Sequence, residues 1–110
     1  MWKNIIINEV LKIERVSGIY SVRYPFLFPV AGFEVRIFEG IDGKYRGRVE
    51  MDIKNPVTQE MVTICGEGAS DEDALQNTLD ILWEFSNKHY PKDTYPEGIP
   101  YDNIIIRKWF

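Results

Sequence analysis

The sequence predicts a small α+β domain, an antiparallel sheet of about four strands with one or two helices packed on one face. Three observations predict it. From residue 19 to 65 apolar residues recur at a period of two, which sends alternate side chains to opposite faces of a strand. The period then lengthens, with Leu75, Leu79, Leu82 and Trp83 recurring at helical spacing. Between two of the alternating runs stands Asp42-Gly43, a pair that joins neighbouring strands by a tight hairpin. A sheet apolar on one side buries an amphipathic helix against that side. The 110 residues, 45% of them hydrophobic and 14% aromatic, suffice for a single domain over 1–110 with a real core.

Residues 4–16 open on two readings. As a helix, Ile6, Ile7, Val10, Leu11 and Ile13 form an apolar stripe, with Asn8, Glu9, Lys12 and Arg15 outside. As a strand, Ile5-Ile6-Ile7 has the right β-branched content. The spacing favours the helix, which Ser17-Gly18 would stop.

Tyr20, Val22 and Tyr24 then alternate with Ser21 and Arg23 in a strand that Pro25 ends or places at an edge. Phe33, Val35 and Ile37 alternate with Glu34 and Arg36. Tyr45, Val49, Met51 and Ile53 alternate with Arg46, Arg48, Glu50 and Asp52. A three-residue loop, Asp42-Gly43-Lys44, would set Ile41 against Tyr45, Ile37 against Val49 and Arg36 against Glu50. Asn55-Pro56 turns the chain into a strand over Met61 to Cys65.

The long helix announces its own start. Ser70 is an N-cap, and Asp73, three residues on, is placed to reach back to its amide. Asp71, Glu72 and Asp73 crowd the positive end of the helix dipole, where acids contribute about 0.3–1 kcal/mol each. Leu75, Leu79, Leu82 and Trp83 share the apolar face, and Gln76, Asn77, Asp80 and Glu84 the polar one. Residues 86–102, with Tyr90, Pro91, Tyr95, Pro96, Pro100 and Tyr101, read as an ordered but irregular segment. A strand over 103–108, built on Ile104-Ile105-Ile106, closes the chain.

The net charge of −4 and pI of 5.0 favour a neutral or basic partner and disfavour nucleic acid and anionic membrane. No apolar run approaches the roughly 20 residues of a membrane span. The amino terminus meets polar residues too soon for a signal-peptide core, and one cysteine permits no intrachain disulfide. A cytoplasmic location is the expectation. Either a monomer or a homodimer through the C-terminal strand suits the pattern.

Candidate chemistry is sparse. Cys65 precedes Gly66 and a helix start, a neighbourhood that can activate a thiol. Glu67, Asp71, Glu72 and Asp73 oppose a thiolate there, and His89 is the only histidine to act as its base, so a buried structural cysteine is expected. One cysteine and one histidine do not make a zinc site, and capping explains the three clustered acids. Gly66-Glu67-Gly68 lacks the Lys-Ser/Thr ending of a phosphate loop, so its glycines are expected to bend the backbone between strand and helix. Arg36, Lys44, Arg46 and Arg48 form a basic stripe near Phe38, but Glu34, Glu50 and Asp52 share its face and predict a solvated, charge-paired surface. No catalytic residue, metal site or cofactor is expected.

Strands followed by Gly66-Glu67-Gly68-Ala69-Ser70 and a helix resemble the double-stranded RNA-binding domain, which leads into its last helix with Gly-x-Gly-x-Ser. That family carries lysines where Asp71, Glu72 and Asp73 stand here, so the resemblance implies the fold without the RNA clamp. The same stretch is similar to HicB-type antitoxins, whose strands precede a helix beginning Thr/Ser-x-x-Glu-Ala. The Pro-Gly segment of that family is missing, and 86–110 has no counterpart in it.

Two proline-bounded aromatic segments, 24–30 and 90–101, either fold back over the core or face a partner. The expected function is therefore binding: an acidic module that inhibits or neutralises a protein partner, its charge suited to a basic one, as antitoxins, immunity proteins and phage anti-defence proteins do. Its contact residues would be Phe26, Phe28, Tyr90, Tyr95 and Tyr101, with Asp71, Glu72 and Asp73. One rival is a small-molecule-binding domain or small enzyme with His89, Tyr90, Tyr95 or Cys65 at the rim of a pocket. The other is a nucleic-acid module using the Arg36–Arg48 hairpin.

Overall fold

The structure, a computed structural model, describes residues 14–23 and 32–106. Within them run β1 (Glu14–Val22), β2 (Phe33–Gly40), β3 (Tyr45–Lys54), β4 (Met61–Gly68), α1 (Asp71–His89), a 3-10 turn at Tyr101–Asn103 and β5 (Ile104–Ile106). Strands β1 to β4 pair antiparallel in chain order, and β5 pairs antiparallel with β3. Helix α1 packs against β4 and β3, and less against β2. This is the predicted α+β arrangement.

Alternation decides the faces. Phe33, Val35 and Ile37 of β2 and Val49, Met51 and Ile53 of β3 turn toward α1 and are buried with Ile64, Ala74, Leu82, Tyr90 and Ile99. Each large side chain so buried contributes about 1.5–3 kcal/mol.

The helix expected over 4–16 is not what the described part shows. Residues 4–13 lie outside the described residues, and residues 14–16 belong to β1. Ser17-Gly18 stops nothing: the register with β2 shifts between Val16 and Gly18, so the pair marks a bulge within the strand. Pairing with β2 at eight of the nine β1 residues supplies backbone partners that outweigh the helical spacing over 14–16.

The β2–β3 register also differs from the expected one, by two residues. Glu39 opposes Tyr45, Ile37 opposes Gly47, and Arg36 opposes Arg48 instead of Glu50. The loop is Ile41-Asp42-Gly43: the Gly43 amide donates to the Gly40 carbonyl (3.0 Å), the Gly40 amide to the Lys44 carbonyl (2.8 Å), and Gly43 has a φ of +82°. That is a three-residue hairpin whose last position needs left-handed backbone, which glycine supplies. Because the slip is even, the apolar residues keep the face expected for them.

Gly66 and Gly68 do not bend the backbone between strand and helix; they lie inside β4 beneath α1. A Cβ on Gly66 would stand 2.6 Å from the Thr78 amide nitrogen and 2.8 Å from its Cα, and one on Gly68 would overlap the Ala74 amide. A Cβ on Gly47 of β3 would overlap the Thr78 side-chain hydroxyl. The glycines let the helix backbone lie almost on the sheet backbone. The line of α1 turned to the sheet is accordingly Ala74, Thr78, Leu82 and Ser86, and three of these four are small. Thr78 and Ser86 donate their hydroxyl protons to the carbonyls of Ala74 (2.7 Å) and Leu82 (2.8 Å). Leu75 and Leu79 pack on one flank, and Trp83, expected on the apolar face, is left 53% exposed.

The helix starts as expected, with the Ser70 Oγ accepting from the Asp73 amide (3.1 Å), and runs on to His89. The irregular stretch thus begins at Tyr90 rather than at 86, and β5 falls within the expected C-terminal strand.

Candidate functional site

Among the described residues, four places gather chemistry-bearing groups. The first is the C-terminal aromatic cluster. Tyr90 caps α1 with its amide donating to the Ser86 carbonyl (2.7 Å), which aims the ring into the core, where it is 3% exposed. Its hydroxyl donates to the Lys54 carbonyl and accepts from the Asn103 side-chain amide (3.1 Å). Tyr95 packs on it at 4.8 Å between ring centroids, and His89 rests on Phe85 at 4.7 Å. Burial, the largest influence, pushes the Tyr90 phenol above its ordinary value, and the Asn103 hydrogen bond pulls back against it. Tyr90 and Tyr95 therefore tie the irregular segment onto the core. Tyr101 alone of the three tyrosines stands out, 62% exposed.

The second place is the start of α1. The Asp71 carboxylate accepts from the Ser17 and Tyr20 hydroxyls of β1, so it fastens the edge strand to the helix. That hydrogen bond is the main reason the Tyr20 phenol is raised above its ordinary value. Glu72 and Asp73 remain exposed to solvent. Phe26 and Phe28 lie outside the described residues.

The third place is the sheet face turned away from α1. The Glu50 carboxylate, 2% exposed, accepts from Arg48 Nε (3.2 Å) and Nη2 (3.1 Å) and lies 3.6 Å from Arg36 Nε. Arg46 Nη2 donates to Glu14 (3.0 Å), and the guanidinium groups of Arg46 and Arg48 sit 5.1 and 5.0 Å from the Phe38 ring centre. Burial alone lowers the Arg46 pKa, but the Glu14 hydrogen bond and charge, with Cys65 adding to them, hold it above its ordinary value. The stripe expected to be solvated is instead a largely buried ion network, because Arg36, opposite Arg48 in register, shares Glu50 with it. Cys65 is exposed on this face opposite Arg48 instead of buried as expected, because the alternation of β4 turns Ile64 and Gly66 to the helix and Cys65 away from it; His89 is on the helix side, so the sheet separates the two.

A cleft of about 140 Å³ opens where β2 begins and β5 ends, lined by Gly32, Phe33, Glu34, Glu50, Met51 and Ile106. None of His89, Tyr90, Tyr95 or Cys65 lines it. Among the described residues, no group of three or more His, Cys, Asp or Glu side chains is arranged to hold a metal ion.

The fourth place takes in two of the expected contact residues, Glu72 and Asp73, but was not foreseen to centre on Trp83. On the solvent side of α1, Glu72, Gln76, Asp80, Trp83 and Asn87 follow one another at steps of three and four residues, with Asp73 and Glu84 alongside. All seven are exposed, and among the described residues no cation pairs with the four carboxylates. Gln76 donates to Asp80 (2.9 Å). The row Ala74, Thr78, Ser86 was the available signal: small residues at helical spacing, facing glycines on two strands, mark a helix seated too close for Trp83 to turn inward.

Comparison with protein-family models, with curated proteins and with solved structures finds no match for this chain. Among the described residues no helix is long and apolar enough to cross a membrane.

Proposed function

We propose that this protein is a non-enzymatic binding module of the cytoplasm that inhibits or neutralises a basic protein partner, and that it does so through the outer face of α1. The observation that carries this reading is Trp83, half exposed on a helix face with four carboxylates. A tryptophan costs little conformational entropy to fix and is, with tyrosine and arginine, enriched among interface anchors. The helix beneath it rests backbone to backbone on β3 and β4, so the surface is rigid before any partner arrives. The surrounding acids would steer a positively charged partner and speed encounter. Tyr101 supplies a second exposed aromatic of the segment expected to bind.

The rival readings have less behind them. The cleft bounded by described residues, about 140 Å³, is smaller than the ~300 Å³ at which ligand pockets begin, and none of the residues named for a pocket rim lines it. Arg36, Arg46 and Arg48 are engaged by Glu50 and Glu14, which leaves their stripe little charge for a phosphate backbone.

The test is affinity capture from the lysate of the source cells with two baits, the wild-type chain and Trp83→Ala. A protein retained by the wild type and lost from Trp83→Ala, with both baits equally folded by circular dichroism, is the expected result. The same proteins on both baits would overturn the reading.

A further inference from the structure

The chemistry of the α1 face also narrows what can sit on it. Glu72, Asp73, Asp80 and Glu84 give it four negative charges against Lys88 in the last turn, so a second copy of the same face is repelled. A second copy offering its sheet arginines is no better suited, because Arg36, Arg46 and Arg48 are already held by Glu50 and Glu14. The occupant must bring its own positive charge.

It must also use the indole. Asp80 lies one turn before Trp83, and residues three apart on a helix are neighbours at about 5–6 Å between Cβ atoms. An ammonium group can pair with the acids, but it is a compact, strongly hydrated charge with no flat face. A guanidinium is planar: it can stack on the exposed indole while its edge donates two parallel hydrogen bonds to a neighbouring carboxylate. Trp83 with Asp80 at its side offers both halves of that arrangement on one rigid helix.

We infer that the α1 face binds a basic polypeptide segment that presents arginine, the guanidinium stacking on Trp83 and pairing with Asp80. This rests on the proposed protein-binding reading of the same face. The arginine stack sets the selectivity, and Glu72, Asp73 and Glu84 contribute a salt-sensitive attraction that lysine can share.

The experiment titrates the full chain with two peptides of equal length and charge, one with arginine and one with lysine as its cation, interspersed with glycine and serine. Backbone amide and indole NMR shifts are followed, and so is tryptophan fluorescence in a Trp2→Phe, Trp109→Phe background. The expected result is shift changes grouped over residues 72–87, movement of the Trp83 indole proton, and at least about threefold tighter binding of the arginine peptide. Trp83→Ala should erase the preference and leave equal, salt-sensitive binding of both peptides. Trp83→Phe, which keeps an aromatic face, should retain part of it.

Equal affinity of the wild type for both peptides, or shifts centred on the sheet face, would overturn the inference. So would concentration-dependent shifts of residues 72–87 without peptide, since a second copy would then be the occupant. If the peptides show no preference while Trp83→Ala still loses its captured protein, the partner-binding reading stands and arginine falls. If Trp83→Ala keeps that protein, the partner-binding reading itself falls.

Discussion

The seat of α1 on the sheet makes a sharp prediction, because two of its glycines are crowded by different kinds of atom. At Gly66 an added Cβ meets the backbone nitrogen and Cα of Thr78 at 2.6 and 2.8 Å, against ordinary contacts no closer than 3.4 Å. No side-chain rotation relieves that, so the helix must retreat by roughly 1 Å, enough to forfeit a quarter to a half of each dispersion contact along Ala74, Thr78, Leu82 and Ser86. Gly66→Ala should cost about 3 kcal/mol, the upper end for overpacking. At Gly47 the obstacle is the Thr78 hydroxyl, and the next neighbours, the Ala74 carbonyl and Ile37 Cδ1, stand at 3.1 Å. Gly47→Ala should cost about 2–3 kcal/mol alone and under about 1 kcal/mol in a Thr78→Ala background, a coupling of about 1.5–2 kcal/mol. Thr78→Ala by itself loses one hydrogen bond to the Ala74 carbonyl, about 1 kcal/mol, part of which the better helix propensity of alanine restores. Urea unfolding followed by circular dichroism, with midpoints compared at unchanged slope, measures these four variants and the Gly66→Ala, Thr78→Ala double variant. The reasoning fails if Thr78→Ala rescues Gly66→Ala as fully as it rescues Gly47→Ala, or rescues neither.

Two further predictions concern buried polar groups. Glu50→Ala removes the buried carboxylate that Arg36 and Arg48 share, and should cost about 3 kcal/mol. Glu34→Ala on exposed Glu34 should stay within about 0.5 kcal/mol, and equal costs in urea would refute the buried network. Tyr90→Phe leaves the Lys54 carbonyl and the Asn103 amide without their phenol partner and should cost about 1–2 kcal/mol at neutral pH. The folded protein holds the Tyr90 proton above the ordinary 10.0 of the unfolded chain. Stability is therefore fully present below that value and falls as pH rises through the folded one, so the urea midpoint of the wild type should decline above about pH 10. Tyr90→Phe should decline less steeply, with Tyr20, also raised, accounting for slope that remains.

How much of this was legible depended on which force decided each element. Where burial on one sheet face decides, as along Phe33 to Ile37 and Val49 to Ile53, the period of two is enough, and the faces were read correctly even with the register wrong. The register itself hung on one conformation, the left-handed Gly43, and Asp42-Gly43-Lys44 and Ile41-Asp42-Gly43 differ by a single residue of turn. Ser17-Gly18 reads as a stop because serine and glycine are poor in any helix, and only the pairing partner reveals that a strand runs through them. Tyr90 and Trp83 were exchanged for a common reason. An aromatic side chain gives no sign of which side its backbone will face until the depth of the packing is known. Tyr90 stood in a proline-rich stretch and is core; Trp83 stood in an apolar row and is surface.

That exchange has a single physical origin, and it links the fold to the proposed site. Three glycines draw α1 so close to β3 and β4 that the inner row of the helix admits mainly small side chains, with Leu82 the one large member. A large indole has no place in so shallow a contact, and at position 83 the helix leaves it exposed on the same side as Asp80 and the other acids. Loosening the helix should therefore blur the surface as well as weaken the core. A Gly66→Ala chain that still folds is expected to lose arginine-peptide selectivity although no residue of the α1 face has changed, because a stack between indole and guanidinium needs the helix held still. Retained selectivity in that variant, measured by the same pair of peptides, would separate the binding face from the close seat and break the link between them.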